Sequence, residues 1–402
     1  MSEQVPRYVV VSNVFGDLNR GGAAITERTI AAAKVAFPDT PVAAITIDGA
    51  LEPQRTHGFT AADHPDVEYL DPVIPHFTGR WRRIRSGALL LRHLLIRPSP
   101  RWRSAHRVAN ARVVISKGGF VWVDRTPRGV LSFISTSMPI ALAIRYRRPA
   151  VVFPTTIGPF NSRLARIANR AILTRARLVI ARDHRSYREA IDLGVPPQRL
   201  LQMPDVAFGV YPSEEVPVDL VPQLAVSGPF GVVVVRRIGS PDFLSRLSQL
   251  IRAVESASSV QQIFAVIQAD DREPTEQVVA SLDGLNVSVV DAPLSPSQLA
   301  SLYGRAAFVV TCRLHAGILA FVGGTPAFVI SSDGSKTEGI LEDLHLSDLV
   351  VRQDFLPQAV ADRVVQALDN ADELREKVMA AVAKARSELE ELPVVLKEAV
   401  GE

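Results

Sequence analysis

The 402-residue sequence contains one cysteine, Cys312, and only six lysines beside 39 arginines. A single cysteine excludes an intramolecular disulfide and any zinc or iron–sulfur site held by cysteines. It also favours a reducing compartment, so we expect a cytoplasmic protein. No stretch approaches the roughly 20 apolar residues that a membrane-spanning helix requires, and the first residues lack the pattern of a secretory signal. Any membrane contact is therefore expected to be peripheral.

Acidic residues are missing from one long part of the chain. Between Gly79 and Val123 the sequence has no Asp or Glu, but it has ten arginines, Lys117 and all three tryptophans. Two interpretations remain open for residues 79–112. One is peripheral contact with the inner face of an anionic membrane, and the other is a helix packed on its own domain with solvated arginines. Basic patches also bind nucleic acid, but no recognised nucleic-acid motif is present, and we expect no such partner.

Short apolar runs rich in β-branched residues alternate with longer amphipathic segments. Such runs predict strands buried on both faces, which a parallel sheet covered by helices provides. The predicted strands are 8–12, 42–47, 113–116, 150–154, 178–181, 200–203, 231–235, 263–268, 287–290, 308–311 and 327–330. The predicted helices are 23–37, 132–145, 164–174, 186–193, 242–257, 275–282, 296–305, 317–322 and 336–341, with one or two more over 356–392.

This alternation breaks once, in a proline-rich segment. Residues 211–230 contain four prolines and show no clear period, so we interpret them as a linker. The sequence therefore predicts an α/β protein with two Rossmann-like doubly wound domains and an interdomain cleft. Residues 1–210 would form the first domain, which carries the basic segment 79–123. Residues 231–402 would form the second, closed by terminal helices.

Two glycine-containing loops follow predicted strands of the first domain. One includes Gly16, Asn19 and Gly21, and the other contains Gly118 and Gly119. Glycines let the backbone approach a ligand, and a helix N-terminus behind them attracts anions. The glycine spacing does not match the dinucleotide fingerprint, and no phosphate loop ending in Gly-Lys-Ser/Thr is present. Tight turns without a ligand are the alternative interpretation.

Arg182 stands at the carboxyl end of a predicted strand, followed by Asp183. An arginine at that edge of a sheet can bind a carboxylate or a phosphate through two N–H groups at once. The alternative is an Arg–Asp ion pair at the surface.

The segment that runs from Thr311 to Gly317 carries the strongest chemical signal. Arg313 and His315 are two residues apart, so in an extended strand end both side chains would face the same way. Arg313 supplies a fixed positive charge, and His315 supplies a proton-transfer group that works near neutral pH. Lys336, at the start of a predicted helix, would add a third cation for a phosphorylated ligand, or is simply solvated. The eight histidines are scattered, and no metal site is predicted.

Taken in order, these segments resemble the polysaccharide pyruvyl transferase family from about Tyr8 to about Leu346. Gly22 and Lys117 depart from the family's sequence pattern. These two departures bear on recognition of the acceptor sugar more than on the reaction itself. The resemblance rests on the loop 16–22, Val-Val-Ile-Ser-Lys-Gly-Gly at 113–119, Ile-Gly-Pro-Phe at 157–160, Arg-Asp-His-Arg-Ser at 182–186, Pro-Asp-Val-Ala-Phe at 204–208, Arg-Leu-His-Ala at 313–316, and Lys336 with Gly339.

The resemblance implies a GT-B-like fold and transfer of a pyruvyl group from phosphoenolpyruvate to a sugar of a polysaccharide or lipid-linked glycan, forming a ketal and releasing phosphate. Phosphoenolpyruvate is then a co-substrate, and no cofactor is expected. Arg182, Arg313 and Lys336 would bind this donor, and His315 would be the catalytic acid/base. Asp205 would orient a catalytic group or a sugar hydroxyl, or cap a turn. The expected acceptor or loop contacts are Gly16, Asn19, Gly21, Gly118, Gly119 and Asp205.

Two other functions remain open on the same fold. A GT-B glycosyltransferase would bind a nucleotide sugar in the second domain. A non-catalytic protein would bind glycan or membrane and no donor. Neither the acceptor sugar nor the oligomeric state follows from the sequence.

Overall fold

The computed structural model describes residues 7–47, 58–75, 81–124, 129–160, 162–213, 215–217, 219, 221–225, 228–269, 271–331 and 336–402. Its contacts divide the chain into two compact units. The first comprises Met1–Asp17, Gly22–Val206 and Glu388–Glu402, and the second comprises Leu18–Gly21 and Ala207–Ser387. Each unit is built on one sheet in which all described strand pairs are parallel.

The first unit contains an eight-stranded sheet. Its strands run in the order β3-β2-β1-β4-β6-β7-β8, and β5 pairs with β6. Every residue of β1, β4 and β7 is buried, as expected for a parallel sheet covered by helices on both faces. The strands are β1 (Val9–Val14), β2 (Val42–Thr46), β3 (Glu68–Leu70), β4 (Val113–Ser116), β5 (Gly119–Asp124), β6 (Ala150–Phe160), β7 (Leu178–Ala181) and β8 (Leu200–Gln202).

Seven helices accompany this sheet in the described part of residues 7–206. Two of them start at side-chain caps, because Ser162 accepts a hydrogen bond from Ala165 N and Asp183 accepts one from Ser186 N. The helices are α1 (Arg20–Ala36), α2 (Gly58–Asp63), α3 (Arg82–Leu95), α4 (Arg103–Ala109), α5 (Gly129–Arg145), α6 (Arg163–Leu173) and α7 (His184–Leu193). Within the described ranges of the chain, no helix is both long enough and apolar enough to cross a membrane.

The second unit contains a six-stranded sheet in the order β11-β10-β9-β12-β13-β14. The chain builds outward from β9 to β11 and then returns to the other side of β9, so β9 and β12 meet at a topological switch point. The strands are β9 (Phe230–Val234), β10 (Gln262–Val266), β11 (Val287–Val290), β12 (Phe308–Thr311), β13 (Ala327–Ser331) and β14 (Val350–Arg352).

Helices follow most strands of the second unit. Ser295 and Gln298 form a capping box with Pro296 in the first turn, which is the helix start that the Ser-Pro pair predicts. The helices from here to the end of the chain are α8 (Phe243–Ser256), α9 (Arg272–Ala280), α10 (Pro296–Gly304), α11 (Leu314–Val322), α12 (Lys336–Asp343), α13 (Pro357–Asp369), α14 (Ala371–Glu390) and α15 (Leu392–Val400).

The last helix belongs to the first unit, although the sequence places all of residues 231–402 in the second domain. Leu392 and Leu396 are buried. Arg177 Nε donates to the carbonyl oxygen of Ala399 at 2.8 Å, and Arg112 Nε donates to the Glu402 carboxylate at 3.0 Å. The residues interpreted as a linker, 211–230, likewise group with the second unit.

The predicted fold class is confirmed: each unit is a Rossmann-like α/β domain with a parallel sheet. Three strands are absent from the prediction. β3 and β14 are only three residues long and lie at sheet edges, and β5 follows β4 after a two-residue break. Helix α3 lies within the basic segment, with Leu89 buried, and peripheral membrane contact through residues 79–112 stays a prediction.

Candidate functional site

The carboxyl edge of the second sheet brings together side chains from three neighbouring strands. β9 pairs with both β10 and β12. The residues that follow these strands include Arg236 after β9, Asp271 after β10 and Arg313 after β12. In open α/β sheets, ligands bind at this edge, beside the topological switch point. This edge is therefore the candidate site of the second unit.

Arg313 is held in place by its side chain and its backbone. The residue is extended (φ −122°, ψ 120°) and stands immediately before α11. Its backbone N–H donates to Thr311 Oγ1 at 2.9 Å, and its Nε donates to the Asp271 carboxylate in an ion pair. The Arg313 side chain is 16% exposed and that of Asp271 is 9% exposed, so the pair is mostly shielded from water. Asp271 thus orients the guanidinium, and only one of its five N–H donors is used in this contact.

His315 lies in the first turn of α11, not in an extended strand end. β12 ends at Thr311, and α11 begins at Leu314. The expectation that Arg313 and His315 face the same way as alternate strand residues is therefore wrong, because the chain turns into a helix between them. The ring of His315 is partly buried, with its Nε2 atom shielded from solvent. Every other residue of α11 is buried, so the packed helix fixes the position of the His315 backbone and Cβ atom.

Gly21 lies directly against His315. Residues Leu18–Gly21 group with the second unit. A Cβ atom on Gly21 would lie 2.4 Å from His315 Cβ and 2.6 Å from its Nδ1. Only a glycine leaves space for the imidazole at this distance. One of the predicted loop glycines is thereby brought beside the predicted acid/base.

Arg236 is a candidate site residue that the sequence motifs do not reveal. It is exposed, and among the described residues its guanidinium has no carboxylate partner. Its neighbour Arg237, by contrast, bonds both oxygens of Glu273, at 2.8 and 2.9 Å. The available signal is the position of Arg236 in the sequence: it comes two residues after a strand that is buried along its length. Without the sheet order, nothing in the sequence relates it to Arg313.

Burial changes the acid–base properties of two groups beside this edge. It raises the pKa of the Cys312 thiol to about 12, and a hydrogen bond with the backbone of Arg236 opposes this shift. Burial also raises the pKa of the Tyr303 hydroxyl, which accepts a hydrogen bond from Gln268 Nε2 at 2.7 Å. Both groups are therefore neutral near pH 7. Neither serves as an anionic nucleophile at this edge.

Lys336 is the first residue of α12, which follows β13, a strand paired with β12. The segment 332–335 before it lies outside the described residues. Its expected contact with a phosphorylated donor stays a prediction.

The first unit gives Arg182 a buried ion pair. Arg182 Nη1 lies 2.5 Å from Asp205 Oδ2, and Nε donates to Thr156 Oγ1 at 2.8 Å. The two charged side chains are 1% and 0% exposed. The pair is thus internal and not at the surface, and Arg182 connects the middle of β6 and the end of β7 to the segment after β8. The roles of Arg182 in donor binding and of Asp205 in acceptor binding stay predictions.

The Asp183 and Ser186 side chains of this motif serve the local fold. Asp183 accepts hydrogen bonds from Ser186 N and Ser186 Oγ, at 2.8 and 2.9 Å. Ser186 Oγ in turn accepts from Ile157 N at 3.1 Å. The motif therefore caps α7 and fastens it to β6.

The first glycine loop, 16–22, is shaped by Asp17 and Lys117. The Asp17 carboxylate is buried and accepts hydrogen bonds from Phe59 N at 2.8 Å and Thr60 N at 2.9 Å, at the start of α2. Lys117 is also buried, and its Nζ donates to Gly22 O and Thr26 Oγ1, both at 2.8 Å. Lys117 thus fastens the end of β4 to the first turns of α1. Ligand contacts of Gly16 and Asn19 stay predictions.

The second glycine loop needs glycine for steric reasons. A Cβ on Gly118 would lie 2.3 Å from the backbone oxygen of Pro154, and Gly119 has φ +113°. Neither position can accept a side chain without strain. These steric requirements are enough to explain why both residues are glycines. A ligand contact at either one stays a prediction. Within the described ranges, no three His, Cys, Asp or Glu side chains are grouped as a metal ion would require.

One comparison with known proteins shows the family of this chain, and another shows its fold. The chain matches the family described as "Polysaccharide pyruvyl transferase" over residues 19–334. No curated protein sequence matches it significantly. Among solved structures, Anabaena Alr3699/HepE in complex with UDP and glucose is similar, with a TM-score of 0.61, 12% identity, and coverage of 98% of this chain and 99% of that chain.

Two further solved structures share this fold. A glycosyltransferase from Rickettsia africae has a TM-score of 0.62, 11% identity, and coverage of 99% and 100% of the two chains. The UDP-GlcNAc 2-epimerase from Neisseria meningitidis, bound to UDP-GlcNAc, has a TM-score of 0.60, 10% identity, and coverage of 98% and 99%. At these identities the likeness shows the fold alone. The expected GT-B-like pair of Rossmann-like domains is confirmed.

Proposed function

Because the chain belongs to the polysaccharide pyruvyl transferase family, we propose that it transfers a pyruvyl group from phosphoenolpyruvate to a sugar of a polysaccharide or lipid-linked glycan. The product is a ketal, and inorganic phosphate is released. The observation that carries the proposal beyond the family is the cationic edge of the second sheet, where Arg236 and Arg313 follow neighbouring strands and His315 lies in the first turn of α11. Phosphoenolpyruvate is a co-substrate, and the proposal requires no cofactor.

Donor binding is assigned to two arginines of the second unit. Phosphoenolpyruvate carries a carboxylate and a phosphate, and guanidinium groups bind both through paired N–H donors. Arg313 has four N–H groups left after its Nε bonds Asp271. Arg236 is exposed and, in the described part of the chain, has no carboxylate to neutralise it. Lys336 supplies a third positive charge in this proposal, whereas Arg182 is engaged with Asp205.

The overall reaction fixes how many protons must move. Two sugar hydroxyl oxygens form bonds to C2 of phosphoenolpyruvate, and the bond between C2 and the phosphate oxygen breaks. Of the two hydroxyl protons, one ends on C3, which becomes a methyl group, and the other leaves with the phosphate. The enzyme therefore needs a group that both accepts and donates a proton near neutral pH.

His315 has that role in the proposal. An imidazole titrates near neutral pH, and general acid–base catalysis by such a group contributes about 10²- to 10⁴-fold to the rate. The ring takes a proton from a sugar hydroxyl and returns one to the substrate. Gly21 is placed against the ring and sets its position.

The direct test measures phosphate release from phosphoenolpyruvate with candidate free and lipid-linked glycans. We expect His315→Ala to lower turnover about 10²- to 10⁴-fold while circular dichroism and donor binding are retained. Full turnover in this variant would remove His315 from the mechanism.

A second pair of variants tests donor binding. Arg236→Ala should raise the KM for phosphoenolpyruvate about tenfold or more, because a charge-assisted hydrogen bond is lost. Arg237→Ala is the matched control, since that arginine pairs with Glu273 and should leave the KM unchanged. Equal effects of the two variants would contradict the assignment.

Thermal shift measurements separate the alternatives. Stabilisation by phosphoenolpyruvate and not by UDP or a UDP-sugar is expected. The opposite result would favour a glycosyltransferase, and binding of glycan with no donor would favour a non-catalytic protein.

A further inference from the structure

One half of the first unit is almost free of acidic residues. Between Asp71 and Asp183 the sequence has a single acid, Asp124, against 21 arginines and Lys117. Helices α3, α4, α5 and α6 all lie in this part of the chain, and none contains an Asp or Glu. A surface formed by these helices is therefore strongly cationic.

These helices form one layer on the first sheet. α5 packs against strands of the sheet, and α3, α4 and α6 each contact α5. Arg145 Nε, at the end of α5, donates to the carbonyl oxygen of Leu94 at 2.9 Å, which joins α5 to α3. The cationic helices are thus neighbours, and their outer sides share one face of the unit.

Helix α3 is apolar on both its inner and its outer side. Leu89 is buried, and Leu90 and Leu94 pack against the hydrophobic core. Yet Leu91 and Leu95, one turn apart, are 57% and 68% exposed. The inner leucines account for the helix's attachment to the core, and the outer ones have no such explanation.

Helix α6, which also packs against α5, repeats this feature. Leu164 and Ile167 are 78% and 63% exposed, whereas on the same helix Leu173 is buried and Ile172 packs against the core. Singly exposed leucines are ordinary, but large exposed apolar residues that recur on two helices packed against the same third helix indicate an interaction surface. We name this surface the arginine face; its exposed residues are Trp81, Ile84, Arg85, Leu91, Leu95, Ile96, Arg163, Leu164, Ile167 and Arg170.

Some arginines of these helices are paired with acids: Arg166 with Glu189 at 3.8 Å, and Arg103 and Arg107 with Glu68. Three exposed arginines beside the leucines are not. Among the described residues, no carboxylate pairs with Arg85, Arg163 or Arg170. Others lie on aromatic rings: the guanidinium carbons of Arg92 and Arg101 lie 5.2 and 5.9 Å from the centroid of the Trp102 ring. The positive charge of the face therefore remains available to an anionic partner.

We propose that the arginine face docks the protein on the surface of an anionic lipid bilayer. Exposed leucines and isoleucines between arginines fit the boundary between acyl chains and headgroups, where apolar side chains are buried and guanidinium groups meet phosphates. Nucleic acid would offer phosphates but no apolar layer for the leucines. A second copy of the same face would bring arginine against arginine. This docking does not depend on the proposed pyruvyl transfer. Combined with it, docking would hold the enzyme at the membrane surface, where lipid-linked acceptors are found.

The test is vesicle sedimentation of the full chain. Binding to phosphatidylserine–phosphatidylcholine vesicles is expected, with weak binding to phosphatidylcholine alone and a decline at high salt. Arg85→Glu/Arg170→Glu should weaken binding about 30-fold or more, since each arginine at an anionic surface contributes about 1 kcal/mol and reversal removes more than that. Leu91→Ser/Leu95→Ser should weaken it about tenfold or more, because two apolar side chains no longer enter the bilayer.

Matched variants elsewhere keep the test specific. Arg305→Glu/Arg352→Glu changes the charge equally, and Val35→Ser/Leu356→Ser removes exposed apolar groups outside the arginine face. Both controls should bind vesicles like the parent. Phosphate release with a soluble acceptor should be unchanged in all four variants, so failure of docking and failure of the transferase proposal are distinguishable.

Three outcomes would overturn the proposal. The first is equal vesicle binding by all four variants. The second is binding of double-stranded DNA that the leucine variant retains, with no vesicle binding. The third is a concentration-dependent dimer in light scattering that the same variants abolish, again without vesicle binding.

Discussion

Arg182 Nη1 lies 2.5 Å from Asp205 Oδ2, in an ion pair whose side chains are 1% and 0% exposed. Charges this deeply buried are stable only together, because either one alone would be desolvated without compensation. The two residues belong to separate sequence motifs. Each motif by itself suggests a role in substrate binding, whereas the ion pair shows that the two motifs depend on each other.

The first prediction follows from this pair. Arg182→Ala and Asp205→Ala should each lower the free energy of unfolding by about 3–5 kcal/mol, because each leaves an unpaired buried charge. Arg182→Met/Asp205→Leu should recover most of that loss. Urea unfolding of the three variants measures the coupling. Additive losses, or a raised KM for phosphoenolpyruvate without any loss of stability, would return Arg182 to the donor site.

Gly21 gives the second prediction. A Cβ atom there would lie 2.4 Å from His315 Cβ, so Gly21→Ala must displace the imidazole. We expect turnover to fall about 10²-fold or more, the effect of a displacement of about 1 Å in a catalytic group. The melting temperature should fall as well, because His315 Cβ can move only together with the backbone. Gly87→Ala is the control, because a Cβ on that helical glycine meets nothing within 4 Å. Unchanged turnover in Gly21→Ala would show that the ring position is not critical.

The third prediction concerns Cys312. Burial raises its pKa to about 12, so the reactive thiolate is scarcely populated at pH 8. Iodoacetamide should leave the folded protein unmodified and label it after unfolding in guanidinium chloride, as mass spectrometry would show. Cys312→Ala should retain phosphate release. Rapid labelling of the folded chain would contradict the buried position.

The fourth prediction is a pH dependence of stability. Burial raises the pKa of Glu27 from 4.5 to about 7, with Asp63 and Asp17 adding to the shift and Arg28 opposing it. The folded state therefore prefers the protonated carboxyl. This contribution to stability is fully present below pH 4.5 and is lost as the pH rises through about 7.

Glu27→Gln should remove this dependence. Its stability relative to the parent should rise between pH 5 and pH 8, by at most about 3 kcal/mol, in urea unfolding experiments. Glu373→Gln, at an exposed position of α14, serves as the control. A parallel pH response of parent and Glu27→Gln would show that the carboxyl is ionised throughout.

The strands that hold the core were predictable, because their apolar runs are continuous. Val113–Ser116 and Leu178–Ala181 have the predicted bounds, and both are buried along their whole length. β3 and β14 have only three residues each, and each contains side chains that are not buried. Such edge strands gain their structure from a neighbour and leave little periodicity in the sequence.

The site was predictable only where its residues are close in sequence. Arg313 and His315 share one motif, so their types and spacing suffice to propose them. Asp271 and Arg236 join Arg313 through the pairing of β9 with β10 and β12, which composition and periodicity do not specify. The burial of Arg182 was equally hidden, because its partner Asp205 lies beyond another strand and helix.

The grouping of Glu388–Glu402 with the first unit has a consequence for biosynthesis. A ribosome makes the chain from its N-terminus, and domains ordinarily fold as they emerge. Here Leu392 and Leu396 reach their buried positions only after the whole second unit has been synthesised. Until then the first unit is incomplete, and the apolar surface that α15 covers in the folded protein is exposed to water. Early release of the nascent chain would therefore harm the unit that was made first.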